Sequence, residues 1–160
     1  MKEINISEMP DSWNWEDVDG YDFTGRHVDQ GSCGSCYLLA NNNMLESRIK
    51  VWFGKEVLLG HQQRLDCNFM NEGCHGGWGF FDGLFLEQFG AVADKCAKYE
   101  GSASPEGCGR WSSCTPVAGV KDTYYVGERR AYGVMTEQDM IKEVRARGPI
   151  LIDFNAGAEF

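Results

Sequence analysis

The stretch Gln30-Gly31-Ser32-Cys33-Gly34-Ser35-Cys36-Tyr37-Leu38-Leu39-Ala40 decides the reading of this chain. A polar amide, a glycine turn and a thiol come together where polar, glycine-broken sequence gives way to an apolar run. From Tyr37 to Phe53 the apolar residues, among them Leu38, Leu39, Met44, Leu45, Ile49, Val51 and Trp52, surround a 3.6-residue wheel instead of marking one stripe. That pattern predicts a buried helix. Cys36 then falls in its first turn, beside backbone N–H groups without helical partners and at the positive end of the helix dipole, both of which favour thiolate over thiol. This is an environment suited to a nucleophile. Asn41-Asn42-Asn43 lies inside the same helix against its propensity, so tertiary contacts are expected to override local preference there.

Composition narrows the function classes. The chain has 160 residues, enough for one domain with a substantial core. Its net charge of −9 argues against nucleic acid as a partner, because phosphate binding rests on clustered Lys and Arg and Arg129-Arg130 is only a pair. No run approaches the roughly 18 apolar residues of a membrane span. Met1 to Met9 carries no apolar signal-peptide core, so a secretory signal is expected to have been removed or to lie outside this sequence.

Seven cysteines carry the compartment argument. An odd count, with Cys36 set apart at the predicted helix start, suggests three disulfides and one free thiol, which points to a lysosomal, secretory or extracellular setting. Spacing does not choose among the pairings of the other six. Two other chemistries fit parts of the pattern. Cys33 and Cys36 form a Cys-x-x-Cys at a helix start, as in a thioredoxin-like redox pair, although Asp11 to Asp29 lacks the apolar strand of a βαβ unit. Cys33, Cys36, Cys67 and Cys74 make a zinc set by count, but without a second tight pair.

Cys33-Gly34-Ser35-Cys36-Tyr37 fits the Cys-Gly-(Ser/Ala)-Cys-(Trp/Tyr) signature, and through it the chain resembles the papain-like cysteine proteases. The resemblance implies an α+β fold of two lobes, one mainly helical and one a β-barrel, with the active cleft between them. Residues 1–160 are expected to form one papain-like peptidase domain, mostly the helical lobe with the start of the barrel, incomplete at the C-terminus. The resemblance gives Cys36 the role of attacking the scissile carbonyl. It gives the Gln30 side-chain amide, with the Cys36 backbone N–H, the role of holding the oxyanion, where donors already aimed at the developing charge stabilise it without reorganising.

Tyr37, the segment Met44 to Ile49, Ser12-Trp13-Asn14-Trp15 and the cysteine spacing are similar to the cathepsin C branch of the family, the dipeptidyl peptidases. That likeness implies pairing of Cys33 with Cys74, Cys67 with Cys108, and Cys96 with Cys114. It implies that the Gly76-Gly77 loop, with Gly77 foremost, hydrogen-bonds an extended peptide, where glycine lets a backbone approach closely. Gly79, Phe80 and Tyr125 match positions around the second specificity pocket, and the Phe80 N–H and Tyr125 hydroxyl would hold a chloride ion. No other cofactor and no metal is implied. Core packing is the plainer alternative for Phe80 and Tyr125, and a simple turn for Gly76-Gly77.

The expected partners are peptide or protein substrates. The histidine and asparagine that complete such a site lie, in the family, beyond the position matching Phe160, so a separate light chain is one expected source of them. The exclusion domain of the cathepsin C branch would precede the papain-like part. His27, His61 and His75 match none of these positions, and none is assigned as the base. A catalytically silent papain-fold protein, used for binding, is the alternative of a different class.

Toward the C-terminus, Thr136 is placed to cap a helix running to about Arg147, with Met140, Ile141 and Val144 on one face and Gly148-Pro149 ending it. Ile150 to Phe154 reads as a buried strand.

Overall fold

The computed structural model describes residues 10–127, 130–154 and 157. Four α-helices carry it: α1 (Cys36–Phe53), α2 (Gln62–Cys67), α3 (Gly79–Phe89) and α4 (Glu137–Arg147). Short 3-10 turns lie at Gly73–His75 and Gly107–Trp111. One small antiparallel sheet pairs β1 (Ala91–Val92) with β2 (Pro116–Ala118), Ala91 facing Ala118 and Val92 facing Pro116. No helix among the described residues is long and apolar enough to cross a membrane.

The first helix begins at Cys36 and ends where Gly54 turns left-handed (φ 59°) and donates its N–H to the Lys50 carbonyl. Its packed face differs from the expectation. Tyr37, Leu38 and Leu39 are buried, but so are Asn41, Asn42, Glu46 and Ser47, while Trp52 and Phe53 are exposed. The apolar wheel therefore overstated the burial of the C-terminal turn, and the middle of the helix is polar inside. Each asparagine has its own partner: Asn41 donates to Asp82 at 2.7 Å, Asn42 to Glu46 and the Leu59 carbonyl, and Asn43 to the carbonyls of Gly25 and Arg26. Their poor helix propensity is offset by these bonds, since a buried polar group that finds its partners avoids the cost of desolvation.

Three apolar clusters flank this polar centre. Cys33, Tyr37, Leu38, Leu39 and Leu65 form the first, with Val28, Cys74 and Tyr99 against it. Leu59, Leu86 and Ala91 form the second, under Leu45 and Ile49 of α1. Val92, Ala97 and Trp111 form the third, beside Cys67 and Cys114. Each large apolar side chain so buried contributes about 1.5–3 kcal/mol.

The cap at Thr136 forms as a reciprocal pair, the Thr136 hydroxyl accepting from the Asp139 N–H and the Asp139 carboxylate accepting from the Thr136 N–H. The helix that follows docks largely by polar contacts, with Met140 and Val144 of the expected apolar face half-buried. Glu143 is its buried residue, bonded by Arg48 at 3.1 Å and by the Tyr124 hydroxyl at 2.5 Å, whereas Ile141 is exposed. Trp15 donates to the Val144 carbonyl at 2.9 Å, and Arg145 stacks 3.7 Å above the Trp13 ring, so the Trp-x-Trp segment straps onto α4.

Ile150 to Phe154 does not form the expected strand. Leu151 is half-buried, Ile152 and Phe154 are exposed, and no strand among the described residues pairs with the segment. An apolar run forms a strand only where a neighbouring backbone accepts the ladder, and among the described residues no strand supplies one.

Candidate active site

Glycine and one disulfide bring two loops together at the start of α1. Cys33 is bonded to Cys74 (S–S 2.03 Å), and the Gly34 N–H donates to the Cys74 carbonyl at 2.8 Å. A Cβ on Gly34 would sit 2.7 Å from that carbonyl oxygen, so the approach requires glycine at 34. Tyr37, in the first turn, sends its hydroxyl to the Gly73 carbonyl at 3.2 Å. Burial, with Asp82 near by, raises the phenol well above its ordinary range, so it acts here as a neutral donor. The other two disulfides join Cys67 to Cys108 and Cys96 to Cys114. Cys36 alone is free, and it is exposed.

This pairing takes the Cys-x-x-Cys redox reading apart, since the partner of Cys33 is Cys74 and not Cys36. It also removes three of the four thiolates from the zinc set, whose ligands must be deprotonated sulfur. No group of three or more His, Cys, Asp and Glu among the described residues is placed to hold a metal ion.

The loop stapled to the start of α1 is tied down at one end and open at the other. Gly76 adopts φ 110° and ψ −178°, a conformation open to glycine and costly for other residues. Asn71 clamps the chain behind it: its Oδ1 accepts from the Trp78 N–H at 2.8 Å and lies where a Cβ on Gly77 would come within 2.5 Å. Gly77 itself is exposed, and among the described residues its backbone N–H and carbonyl have no partner. Those two groups are free to pair with an extended backbone. Asn71 escaped the sequence reading, because nothing local marks an asparagine as a loop clamp.

Gly79, by contrast, is buried under Leu151, whose Cδ2 lies 1.9 Å from the place a Cβ would take. Phe80 is the second residue of α3, where a backbone N–H has no carbonyl one turn back to bond. Its ring stacks on Tyr125 at 4.4 Å and 4°, and Tyr125 meets Tyr132 edge-on. The free amide suits an anion, while the stacked rings are equally what packing produces.

Gln30 is half-buried, and its carbonyl accepts from the Cys33 N–H at 3.3 Å and the Tyr99 hydroxyl at 2.9 Å. Of the histidines, His27 and His75 are exposed and His61 is buried as the N-cap residue of α2. Burial, with Arg64 and Arg26 close by, pushes His61 down to about 3, so it is neutral and unable to carry a proton near neutral pH.

The profile of the papain family cysteine proteases matches residues 9–160. The chain is 32% identical to cathepsin C of Schistosoma mansoni over 134 residues, covering 82% of this chain and 29% of that protein. It is 30% identical to pro-cathepsin H of Bos taurus over 135 residues, covering 82% of this chain and 37% of that protein. Among solved structures it is similar to a recombinant stem bromelain precursor, with a TM-score of 0.63 at 28% identity over 72% of this chain and 36% of that one. It is also similar to the bromelain protease of Ananas comosus in complex with E64, with a TM-score of 0.62 at 27% identity over 74% of this chain and 51% of that one. The chain thus spans about a third of the length of the two cathepsins it matches. With the helical lobe built around Cys36 and the Cys33–Cys74 staple, the match places the chain in the papain family of cysteine proteases.

Proposed function

We propose that this chain supplies the nucleophile, the oxyanion donors and one substrate-binding wall of a peptide-bond-cleaving thiol protease. One observation carries the reading. The sole free cysteine opens α1, and the disulfide beside it staples that helix start to the loop whose Gly77 backbone is unpaired. In this reading an extended peptide pairs with Gly77, in the Gly76-Gly77 loop, and lays its scissile carbonyl over Cys36. The thiolate adds to the carbonyl carbon. The oxygen takes the negative charge and is held by the Cys36 N–H and the Gln30 amide. Collapse expels the amine, which takes a proton, and leaves a thioester on Cys36 that water hydrolyses to the carboxylic acid and the free thiol. The proton carrier is a histidine oriented by an asparagine, both outside these 160 residues, on the same polypeptide or on a light chain.

Specificity of the cathepsin C type, release of dipeptides, is the finer part of the proposal. The likeness to the Schistosoma mansoni enzyme supports it, and the reading has chloride held by the Phe80 amide and Tyr125 hydroxyl beside Gly79. Three disulfides and the cathepsin relatives support a lysosomal or secretory setting. An exclusion domain is the partner that this specificity requires.

Hydrolysis assays on the full-length protein test both levels. Peptide cleavage that disappears in Cys36→Ala supports the protease reading; cleavage that survives the substitution refutes it. Cleavage of dipeptidyl amides with a free amino terminus, and not of their N-blocked forms, supports the finer reading. Equal cleavage of both forms leaves an endopeptidase instead.

A further inference from the structure

Tyr99 lies 69 residues from Gln30 and 64 from Ser35 in sequence, yet its hydroxyl touches both. It is 2.9 Å from the Gln30 carbonyl oxygen and 2.5 Å from the Ser35 hydroxyl. Chemistry settles the direction of these bonds. A carbonyl oxygen only accepts, so Tyr99 donates its single proton to Gln30. The Tyr99 oxygen then accepts, and Ser35 must donate to it. Ser35 is fully buried, and its other acceptor, the Cys33 carbonyl, is 3.4 Å away, which leaves Tyr99 as the closer partner. The result is a chain of two hydrogen bonds, Ser35 to Tyr99 to Gln30, in which each bond polarises the next.

The rest of the loop holds Tyr99 in place. Cys96–Cys114 anchors the loop ahead of it, and the fully buried Gln62 takes the Ala97 carbonyl through its own N–H and the Glu100 N–H through its Oε1. The ring packs against the cluster of Cys33, Tyr37, Leu38, Leu39 and Leu65, and meets His61 edge-on at 6.0 Å.

We propose that Tyr99 is a positioning residue for the cysteine-protease reaction, acting through Gln30. By tying the Gln30 backbone to the residue that precedes Cys36, it sets how far the oxyanion donor stands from the nucleophile. The thiol needs no such help, since Cys33–Cys74 and the helix itself fix the start of α1. This inference rests on the protease reading and names a part of its machinery.

Tyr99→Phe removes one oxygen and keeps the ring, so the packing is preserved. In the full-length protein its kcat on a peptide ester is expected to fall about tenfold with KM unchanged, because a small displacement of a catalytic donor is costly. In a Gln30→Ala background the same substitution is expected to change kcat less than twofold. Alkylation of Cys36 by iodoacetamide, which develops no oxyanion, is expected to stay within twofold of the parent. Ser35→Ala cuts the chain at its other end and is expected to give the same split between kcat and KM, which keeps the inference testable if either variant folds poorly. A Tyr99→Phe kcat within twofold of the parent, or an equal loss with and without Gln30, would overturn it. If the parent cleaves no ester, the protease reading and this inference fall together; if the parent is active and Tyr99→Phe equals it, only the inference falls.

Discussion

Arg64 of α2 and Asp82 of α3 meet at 2.6 Å with neither side chain exposed to solvent. Asn41 of α1 donates to the same Asp82 oxygen, and Asn42 accepts from Arg64, so one ionic centre joins the three helices around the site. Burial pushes the Asp82 carboxyl up while Arg64 and Asn41 oppose it. Its charged partners make the pair costly to break from one side.

Asp82→Ala is accordingly expected to lower stability by about 3–5 kcal/mol, since it strands a buried guanidinium. Arg64→Met combined with Asp82→Leu, which removes both charges at similar volume, is expected to recover most of that loss. Urea unfolding of the three proteins checks this. A single substitution as mild as the double would show that the pair is not the centre of the helical packing.

His61 makes stability fall in acid. Its folded pKa of about 3 lies below the ordinary histidine value, so the unfolded chain binds a proton first as pH drops. The stability it confers is whole above about pH 6.5 and drains away between there and about pH 3. Comparing the parent with His61→Gln, the gap in unfolding free energy is expected to shift by about 2 kcal/mol in the variant's favour between pH 7 and pH 5. An unchanged gap would mean that His61 titrates normally in the folded protein.

Gly77 is a test of the substrate wall. A methyl group there would press on Asn71, whose Oδ1 would be 2.5 Å away, and push the loop from its place. Gly77→Ala is expected to raise KM for peptide substrates roughly tenfold while iodoacetamide still modifies Cys36 at the parent rate, the separation expected when binding and not the nucleophile is disturbed. Steady-state kinetics beside thiol labelling reads both. Loss of kcat at constant KM would remove Gly77 from the binding role.

Losing the Cys33–Cys74 staple tests how the two loops are held. Cys33→Ser with Cys74→Ser is expected to cost about 2–5 kcal/mol of stability. Limited proteolysis is expected to open new cuts near residues 70–78, mapped by mass spectrometry. A variant as resistant as the parent would show that the Gly34–Cys74 hydrogen bond and Tyr37 hold the loop without the disulfide.

What the sequence revealed of this molecule follows the range of each signal. Thr136 and Gly148 mark helix ends through contacts within a turn, and such marks are legible residue by residue. Cys36 stood out for the same reason, at the first position of an apolar helix. The asparagine run stood out as well, but its partners did not, because Asn41 answers to Asp82, 41 residues away, and Asn42 to Leu59, 17 away. Tyr99 and Asn71 escaped because a single polar side chain that pins a loop has no periodicity to betray it. Ile150 to Phe154 misled because an apolar run says nothing of the neighbouring backbone a strand needs.

Covalent capture by a thiol-protease inhibitor probes Cys36 as the nucleophile of a thiol protease. The full-length protein would be incubated with E64, the inhibitor bound in the bromelain structure similar to this one, and the adduct mapped by mass spectrometry. One adduct is expected, on Cys36, with the six other cysteines still paired. An unlabelled Cys36 that iodoacetamide nonetheless modifies would contradict it and leave a silent papain fold.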